Sequence, residues 1–346
     1  MESPDKSASR RAPVTSHDVA RAAGLSQSTV SRALRDDPRV APETRERVRA
    51  AASSLGYVPN ALARNFVMRR TRTVGMLVTD IGNPYYPNLI APLHDELEEL
   101  GYRMILFAER LAENGDQHLD VLLDRGIDGV VLTTSTVTSS LPTQLTDQGL
   151  PFVLLTREVD GVAADTVAVD NALGASLMAA EILRLGHRRI GAVFGPAHTS
   201  TGRDRERGFR AALTAGAVDL ASDAVRRGAY VVENGHEAMT ELMRLPEPPT
   251  VVATFNDLVA IGALNAAREL GLRVPEDVSV TGWDDLPLAA WSSFRLTTVN
   301  QQMHEMARTA ARLLVEQIEG VAGPRPRRIL FEPKIVLRST LAAPPE

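Results

Sequence analysis

The sequence contains no cysteine, few aromatic residues and no long hydrophobic run. Without cysteine the chain can form no disulfide, no thiolate nucleophile and no cysteine-ligated metal site, which agrees with a reducing compartment. Its longest apolar runs stop near seven or eight residues, whereas a membrane-spanning helix needs about 20. The opening MESPDKSASRRAP has no apolar segment of the kind that directs export. We therefore expect neither a membrane protein nor an exported one.

Signatures of catalysis and of cofactor binding are also missing. The sequence has no GxGxxG, Walker, GxSxG or HExxH motif. Its seven histidines lie singly, without a histidine or cysteine partner at metal-ligand spacing, and His198 is the one that could touch a ligand. We expect no catalytic residue, no metal site and no cofactor, although acids distant in sequence could still meet in the fold.

Charge is distributed unevenly along the 346 residues. Residues 1–72 carry 14 Lys and Arg against seven Asp and Glu, so the rest must carry −12 to reach the total of −5. A basic segment before an acidic body indicates a polyanionic partner for the first part only, because attraction to phosphates needs clustered cations. An ordinary solvated basic surface would show the same charge. The length predicts two or three domains, at about 100–200 residues each.

Short helical patterns begin after a polar arm at residues 1–13, which we expect to be disordered. Thr15 and Asp18 have the spacing of a capping box at the start of one helix, which Gly24 ends. Ser26 is a good N-cap for a second helix. Two short helices joined by a glycine turn predict a helix-turn-helix.

Two more helices are predicted in the basic segment. The third opens at Pro42 and should bury Val48, Ala52 and Leu55. A fourth, capped by Asn60, has about nine residues and is too short to be stable alone in water, so its folding should depend on a partner. The expected limits are 1–13 for the arm, 14–59 for the helix-turn-helix domain and 60–72 for the fourth helix and linker.

From Thr73 the pattern changes to short apolar runs separated by stretches of helical length. The runs typical of strands buried on both faces are TVGMLV, YRMILF, GVVLTT, PFVLL, RIGAVFG, TVVATF and VSVTGW. The amphipathic stretches include 86–100, 171–186, 202–215, 256–270 and 303–319. This alternation predicts parallel sheets of the α/β class, and about eleven strands favour two doubly wound lobes over one sheet.

Longer strings of residues identify a family. In order along roughly residues 15–340 they are HDVARAAGLSQSTVSRAL, PETRERVRAAASSLGYVPNALARNF, RTVGMLVTDIGNPYY, GHRRIG, RERGF, FNDLVAIGAL, LGLRVPEDVSVTGWDD and LTTVNQ. Together they resemble the lactose-repressor/galactose-repressor (LacI/GalR) family of bacterial transcription regulators. The resemblance implies an α/β protein with an N-terminal helix-turn-helix headpiece and a hinge helix. A periplasmic-binding-protein-like body of two doubly wound parallel-sheet lobes would follow.

The resemblance also divides the effector-binding body, residues 73–346. The N-lobe would comprise about 73–171 and 301–329, and the C-lobe about 172–300 and 330–346. The chain would cross between the lobes three times. Ligands of such folds bind at the carboxyl ends of strands, here in the cleft between the lobes.

DNA contacts are implied for the second helix. In the family this helix lies in the major groove, and the matching positions here are Gln27, Ser28 and Arg32. Glutamine can pair with adenine and arginine with guanine, and a good bidentate pair gives about 1–3 kcal/mol of discrimination. An ordinary exposed helix face is the alternative.

The fourth helix resembles the family's hinge helix, which folds on operator DNA. Its implied minor-groove contacts are Asn60, Ala61, Arg64 and Phe66. Phe66 stands where the family usually has a leucine, and its ring is a plausible wedge between base steps. This departure leaves the preferred central base step open, and Phe66 could instead pack only against its symmetry mate.

Effector-site positions of the family match nine residues, several of them at the ends of predicted strands and Arg205 at the start of the helix-forming segment RERGF. They are Tyr85, Tyr86, Thr156, Thr201, Arg205, Tyr230, Asn256, Asp284 and Gln301. Arg205, Asn256 and Asp284 offer donors and acceptors to a hydroxyl-rich ligand, and tyrosines can stack on a sugar face. We expect a sugar, a sugar derivative or a nucleoside, although strand-terminal Asn and Asp also cap helices. Thr156 replaces an aspartate found in many sugar-binding members, and Arg157 beside it could meet an anionic group or face solvent.

The resemblance implies a homodimeric, cytoplasmic, nucleoid-associated repressor. Its affinity for a near-palindromic double-stranded operator would be modulated by the small effector, as inducer or as co-repressor. Two alternatives share the body fold. A solute-binding transport protein would need a signal peptide and no basic headpiece, and a sugar- or nucleotide-acting enzyme would need a phosphate loop or a catalytic cluster.

Overall fold

A computed structural model describes residues 14–34, 36–57, 71–108, 122, 126–324 and 326–345. The chain divides into two compact units between Thr71 and Arg72. The expected disordered arm at 1–13 lies outside the described residues, as does nearly all of the expected hinge segment at 60–72.

The first unit contains three helices among its described residues: α1 Ser16–Ala23, α2 Gln27–Ala33 and α3 Pro42–Ser54. At the start of α1, Asp18 Oδ2 accepts hydrogen bonds from the Thr15 backbone N–H at 2.9 Å and from its hydroxyl at 2.7 Å. At the start of α2, Ser26 Oγ accepts from the Thr29 N–H at 3.2 Å. Both predicted caps are therefore confirmed.

The three helices enclose a small core of short side chains. Val19, Val30 and Val48, one from each helix, are fully buried. Leu55 was expected in this core, but that prediction was wrong, because α3 ends at Ser54 and the Leu55 side chain is 37% exposed. The sequence pattern thus predicted the headpiece helices and placed the end of α3 one residue too late.

The second unit alternates strands and helices. Its strands, within the described residues, are β1 Thr73–Val78, β2 Arg103–Ala108, β3 Gly129–Leu132, β4 Phe152–Leu155, β5 Thr166–Val169, β6 Ile190–Phe194, β7 Val225–Arg227, β8 Val251–Thr254, β9 Ser279–Thr281, β10 Thr298–Asn300, β11 Arg328–Phe331 and β12 Lys334–Val336. Its helices there are α4 Pro87–Glu99, α5 Leu141–Asp147, α6 Asn171–Arg184, α7 Ser200–Ala215, α8 Val232–Leu242, α9 Asp257–Glu269 and α10 Met303–Glu319. In the described part of the chain, no helix combines the length and the apolar character needed to cross a bilayer.

Ten of these strands form two parallel sheets. The N-lobe sheet has the order β11, β5, β4, β3, β1, β2, and the C-lobe sheet has the order β7, β6, β8, β9. All neighbouring strands in both sheets run parallel. The β10 and β12 strands form a separate antiparallel pair. The predicted α/β architecture of two doubly wound lobes is confirmed.

The edge strand β11 lies across the expected lobe limit at residues 329 and 330. It pairs with β5 along its whole length, from Arg328 opposite Thr166 to Phe331 opposite Val169. Backbone hydrogen bonding therefore extends the N-lobe sheet to Phe331, two residues beyond the expected limit.

A buried carboxylate joins two helices of the N-lobe. Glu96 on α4 is 3% exposed and accepts hydrogen bonds from Arg312 Nε at 2.6 Å and Arg308 Nε at 2.7 Å, both on α10. Hydrogen bonds from Arg312 and Arg308 hold the pKa of Glu96 below its usual range. Because a buried charge is costly unless it is paired, this contact fixes the alignment of α4 on α10.

Helices α8 and α9 approach each other at backbone distance. A Cβ on Gly262 would lie 1.9 Å from the Val232 carbonyl oxygen, and a Cβ on Gly235 would lie 1.9 Å from the Val259 carbonyl oxygen. Only glycine fits at these two positions without moving a helix backbone, since real Cβ atoms do not approach a carbonyl so closely.

We expect Gly262→Ala to destabilise the chain by about 3 kcal/mol, because overpacking against backbone cannot be relieved by a rotamer change. Urea unfolding of the variant and the wild type measures this difference. Gly323→Ala is the matched control, since a Cβ there meets nothing within 4 Å. Equal unfolding midpoints for the two variants would contradict the close approach.

Candidate functional site

The second helix of the headpiece presents its candidate DNA-contacting residues to solvent. Gln27, Ser28 and Arg32 are all exposed, whereas Val30 and Ala33 on the other side of α2 are fully buried. The three polar side chains thus share the face of α2 that is free to meet DNA. The other candidate contacts, Asn60, Ala61, Arg64 and Phe66, lie outside the described residues.

A cavity of about 950 Å³ lies between the lobes of the second unit. Its wall includes residues that follow strands in both lobes. Thr79, Thr133 and Thr156 follow β1, β3 and β4 of the N-lobe, while Gly195 and Asn256 follow β6 and β8 of the C-lobe. The cavity therefore occupies the carboxyl edge of both sheets, where ligands bind in doubly wound folds.

Most of the predicted effector-site residues come together here. The ones that line the cavity are Tyr85, Tyr86, Thr156, Thr201, Arg205, Tyr230, Asn256 and Asp284. Gln301 does not line it, but its Nε2 donates to Asp284 Oδ1 at 2.5 Å. His198 also lines the cavity.

Asp284 stands at the centre of a buried hydrogen-bond network. Its Oδ2 accepts from Asn256 Nδ2 at 2.6 Å, and its Oδ1 accepts from Gln301. Asn256 Oδ1 accepts from the N–H groups of Leu258 and Val259 and thereby caps α9. Asn256 thus caps a helix and lines the cavity at once, and the cap directs its amide nitrogen toward Asp284.

Arg205 is held rigidly beside this network. It is 4% exposed, its Nε donates to Asn171 Oδ1 at 2.8 Å, and its Nη1 donates to the Phe255 carbonyl oxygen at 2.7 Å. The guanidinium carbon lies 4.3 Å from the centroid of the Trp283 ring, a cation–π contact. This packing orients the cation toward the cavity before any ligand binds.

Tyrosines form the aromatic part of the wall. The Tyr85 and Tyr86 rings meet edge to face with centroids 5.6 Å apart, and Tyr86 Oη hydrogen-bonds Thr79 Oγ1 at 2.6 Å. Burial raises the pKa of Tyr85, so its hydroxyl stays protonated at neutral pH. Among the described residues, the buried Tyr230 hydroxyl has no hydrogen-bond partner. Gly195 makes room for it, because a Cβ there would lie 2.1 Å from Tyr230 Oη.

A run of hydroxyl side chains in the wall was missed by the sequence analysis. The segment TTSTVTSS follows β3 and supplies the lining residues Thr133, Thr134, Ser135, Thr136, Thr138, Ser139 and Ser140. Its position directly after a predicted strand was an available signal. Arg227 was also missed, since nothing in its local sequence distinguishes it from other exposed arginines.

Two buried carboxyl groups lie close together at the cavity, Asp284 in its wall and Asp257 outside the lining. Burial raises the pKa of Asp284 to about 7, against the attraction of Arg205. Burial and the nearby charge of Asp284 also raise the pKa of Asp257. Asp257 Oδ1 accepts from the Thr298 hydroxyl at 2.6 Å, and its Oδ2 accepts from the Leu286 N–H at 2.8 Å. The folded chain therefore keeps protons that the unfolded chain loses at lower pH.

We expect stability to fall as pH rises from about 4 to about 7, because unfolding then releases these protons. Asp257→Asn should flatten this slope. Its amide can donate to the Thr298 hydroxyl while its oxygen still accepts from the Leu286 N–H. Urea unfolding across this pH range measures the slope, with the exposed Asp160→Asn as control. An unchanged slope in Asp257→Asn would show that Asp257 titrates alike in the folded and unfolded chains.

Two family models match the chain. Residues 15–60 match the family described as bacterial regulatory proteins, lacI family. Residues 179–341 match the family described as periplasmic binding protein-like domain. The first covers the three headpiece helices, and the second covers most of the C-lobe and the last elements of the N-lobe.

Curated relatives match over nearly the whole chain. The transcriptional regulator CelR of Thermobifida fusca is 34% identical over 96% of this chain and 99% of its own length. The transcriptional repressor CytR of Escherichia coli strain K12 is 31% identical over 98% of this chain and 100% of its own length. The transcriptional repressor PurR of Haemophilus influenzae strain PittEE is 32% identical over 94% of this chain and 98% of its own length.

Solved structures share the fold. A complex of the transcriptional regulator CelR with cellobiose is 33% identical, covers 94% of this chain and 99% of its own, and has a TM-score of 0.73. The Lac repressor bound to ONPG in the repressed state is 26% identical, covers 95% of this chain and 100% of its own, and has a TM-score of 0.86.

These comparisons confirm the resemblance drawn from the sequence and the regulatory function that it implies. Each of these curated relatives is a transcriptional regulator or repressor, rather than an enzyme or a transport protein. The chain belongs to the LacI family of bacterial regulatory proteins and is a DNA-binding transcriptional regulator.

Proposed function

We propose that the chain is a homodimeric, cytoplasmic repressor that a small hydroxylated ligand controls from the cavity between the lobes. The observation that carries the proposal is the buried network of Arg205, Asn256, Asp284 and Gln301 at the cavity wall. Together with the hydroxyl-rich segment TTSTVTSS, it offers both donors and acceptors to a polyol.

Cavity size favours a ligand larger than one sugar ring. Ligand pockets usually measure about 300–1,000 Å³, and a cavity of about 950 Å³ lies at the upper end of that range. The CelR relative was solved with the disaccharide cellobiose. A disaccharide or a nucleoside is therefore the proposed size class, with Tyr85 and Tyr230 stacking on or hydrogen-bonding to its rings.

Operator recognition is assigned to the headpiece. Gln27, Ser28 and Arg32 would contact base edges in the major groove, while residues 60–72 would fold into the minor groove through Asn60, Ala61, Arg64 and Phe66. The exposure of the three polar side chains on α2 supports the first part. The domain limits at 14–59, 60–72 and 73–346 remain part of the proposal. Two copies of the chain would bind one near-palindromic operator, because the two-fold symmetry of a dimer matches the two-fold symmetry of the DNA site.

Control by the ligand requires different affinities for two states. A ligand that binds the DNA-bound and DNA-free states equally shifts nothing, however tightly it binds. An inducer must therefore bind the DNA-free state more tightly, and a co-repressor must bind the DNA-bound state more tightly. The contacts across the cleft, such as the Val137 N–H to the His198 carbonyl oxygen at 2.9 Å, are ones that such a state change would alter.

The test is a gel shift of the full chain on DNA from upstream of its own and adjacent genes. Pools of neutral sugars, sugar phosphates and nucleosides are added in turn. Release from DNA by one pool identifies an inducer, and tighter binding identifies a co-repressor. Specific binding that no pool changes would contradict the proposed ligand class, and sedimentation as a monomer on operator DNA would contradict the dimer.

A further inference from the structure

Arg157 carries a positive charge into the ligand cavity. It lies just after β4, is half-buried, and lines the wall. Its Nη1 donates to the Thr134 carbonyl oxygen at 2.7 Å, which leaves most of its five N–H donors for other partners. Within the described ranges, no carboxylate lies within ion-pair distance of its guanidinium.

The acids nearest to Arg157 in sequence are engaged elsewhere. Glu158 pairs with Arg328 at 2.8 Å, and Asp160 pairs with Arg203 at 2.7 Å. Neither carboxylate is therefore positioned to neutralise Arg157. The neighbour on the other side, Thr156, is uncharged.

The other charged groups of the wall are offset locally. Arg227 pairs with Glu206 at 2.5 Å, and Arg205 faces the buried carboxyl of Asp284. Asp80 remains, and its Oδ1 accepts from the Gly82 N–H at 2.8 Å. Asp80 follows β1, whereas Arg157 follows β4, and β3 lies between these two strands in the sheet. The two loops therefore start two strand spacings apart, about 10 Å.

Residues with hydroxyl and imidazole side chains also line the cavity. The hydrogen bond from Arg157 to the Thr134 carbonyl places the guanidinium beside the segment TTSTVTSS. That segment in turn contacts the opposite lobe, where the Val137 N–H donates to the His198 carbonyl oxygen. Thr136 and His198 line the cavity, and the side chains of both residue types can donate hydrogen bonds to an oxyanion.

We propose that Arg157 binds an anionic group, a phosphate or a carboxylate, carried by the hydroxylated ligand of this cavity. The proposal rests on the proposed function, whose ligand class it narrows to anionic sugar derivatives or nucleotides. A guanidinium suits this role because its planar fork forms two parallel hydrogen bonds to carboxylate or phosphate oxygens. Arg205 and the Asp284 network would bind the hydroxyl groups of the same ligand.

Calorimetric titration of the full chain with matched neutral and anionic ligands tests this proposal. The pairs are cellobiose with cellobionate, glucose with glucose 6-phosphate, and uridine with uridine 5′-phosphate. We expect the anionic member of at least one pair to bind about tenfold more tightly, and only its affinity to fall when NaCl rises from about 0.05 to about 0.3 M. A preference in the first pair alone indicates a carboxylate, and one in the other pairs indicates a phosphate.

Substitution of Arg157 gives the second readout. Arg157→Gln should remove the preference for the anionic member and change the affinity for the neutral member less than about threefold, whereas Arg157→Lys should keep part of the preference. The matched control is Arg188→Gln. Arg188 is exposed, bonds only backbone carbonyls among the described residues, and does not line the cavity.

Two results would overturn the proposal. The first is equal affinity for the neutral and anionic members of every pair, and the second is an equal loss of affinity for both members in Arg157→Gln. Either result would rule out the anion site while leaving a neutral effector and the proposed function intact. Failure of every ligand, neutral and anionic, to bind or to change operator binding would overturn both the anion site and the proposed effector class.

Discussion

Replacing Asp284 with asparagine is expected to abolish the effector response while leaving ligand-free operator binding unchanged. The Asp284 carboxylate accepts hydrogen bonds from the side-chain amides of Asn256 and Gln301. An asparagine at this position has one acceptor oxygen, so its own NH2 group would face one of these two donors. Asn256 cannot rotate to compensate, because its own oxygen caps α9. At a pH above 7, where Asp284 is mostly ionised, the ligand loses a charged acceptor worth about 1.5–3 kcal/mol, so its affinity should fall about 10- to 150-fold.

Fluorescence anisotropy of labelled operator DNA, recorded with and without effector, measures both the ligand-free operator affinity and the effector response. Asp219→Asn is the control, because Asp219 is exposed and lies outside the cavity wall. The thermal unfolding midpoint shows whether the variant remains folded. A folded Asp284→Asn chain with the wild-type effector response would remove Asp284 from the site.

Arg32→Ala is expected to weaken operator binding about 5- to 150-fold and to relax the preference at one base pair. The physical reason is the loss of a bidentate contact to guanine, worth about 1–3 kcal/mol. Folding should be unaffected, since Arg32 is exposed and its neighbours Val30 and Ala33 keep their burial.

Binding to operator variants substituted at each position and to random DNA separates specificity from general attraction. Arg47→Ala is the matched control, because Arg47 is exposed on α3, away from the helix assigned to base recognition. An equal loss of affinity on operator and random DNA would make Arg32 a phosphate contact.

Local signals in the sequence predicted the elements of this fold well. Ser26 predicted the start of α2 because capping depends on hydrogen bonds within a few residues. The seven apolar runs coincide with β1, β2, β3, β4, β6, β8 and β9, because burial within a parallel sheet favours continuous apolar sequence. The prediction of burial on both faces was wrong for β2, which lies at the sheet edge and is partly exposed. Asp284 and Asn256 could be placed near a ligand for the related reason that both follow strands.

Contacts between distant residues could not be predicted in the same way. Arg205 and Gln301 are separated by 96 positions in the chain, and no local pattern links them. The ring of Trp283 beneath Arg205 also becomes visible only once the C-lobe is assembled. Local patterns can also mislead. Leu55 continues the apolar periodicity of α3, but the helix ends one residue before it, at Ser54.

The discontinuous N-lobe has a consequence for synthesis of the chain. All four strands of the C-lobe sheet lie between residues 190 and 281, so that sheet can form while translation continues. The N-lobe sheet must wait for β11, and Glu96 stays without its partners until Arg308 and Arg312 emerge. Although it begins first, the N-lobe sheet is therefore completed only after the C-lobe sheet, and until then its strand β5 presents an open edge on the nascent chain.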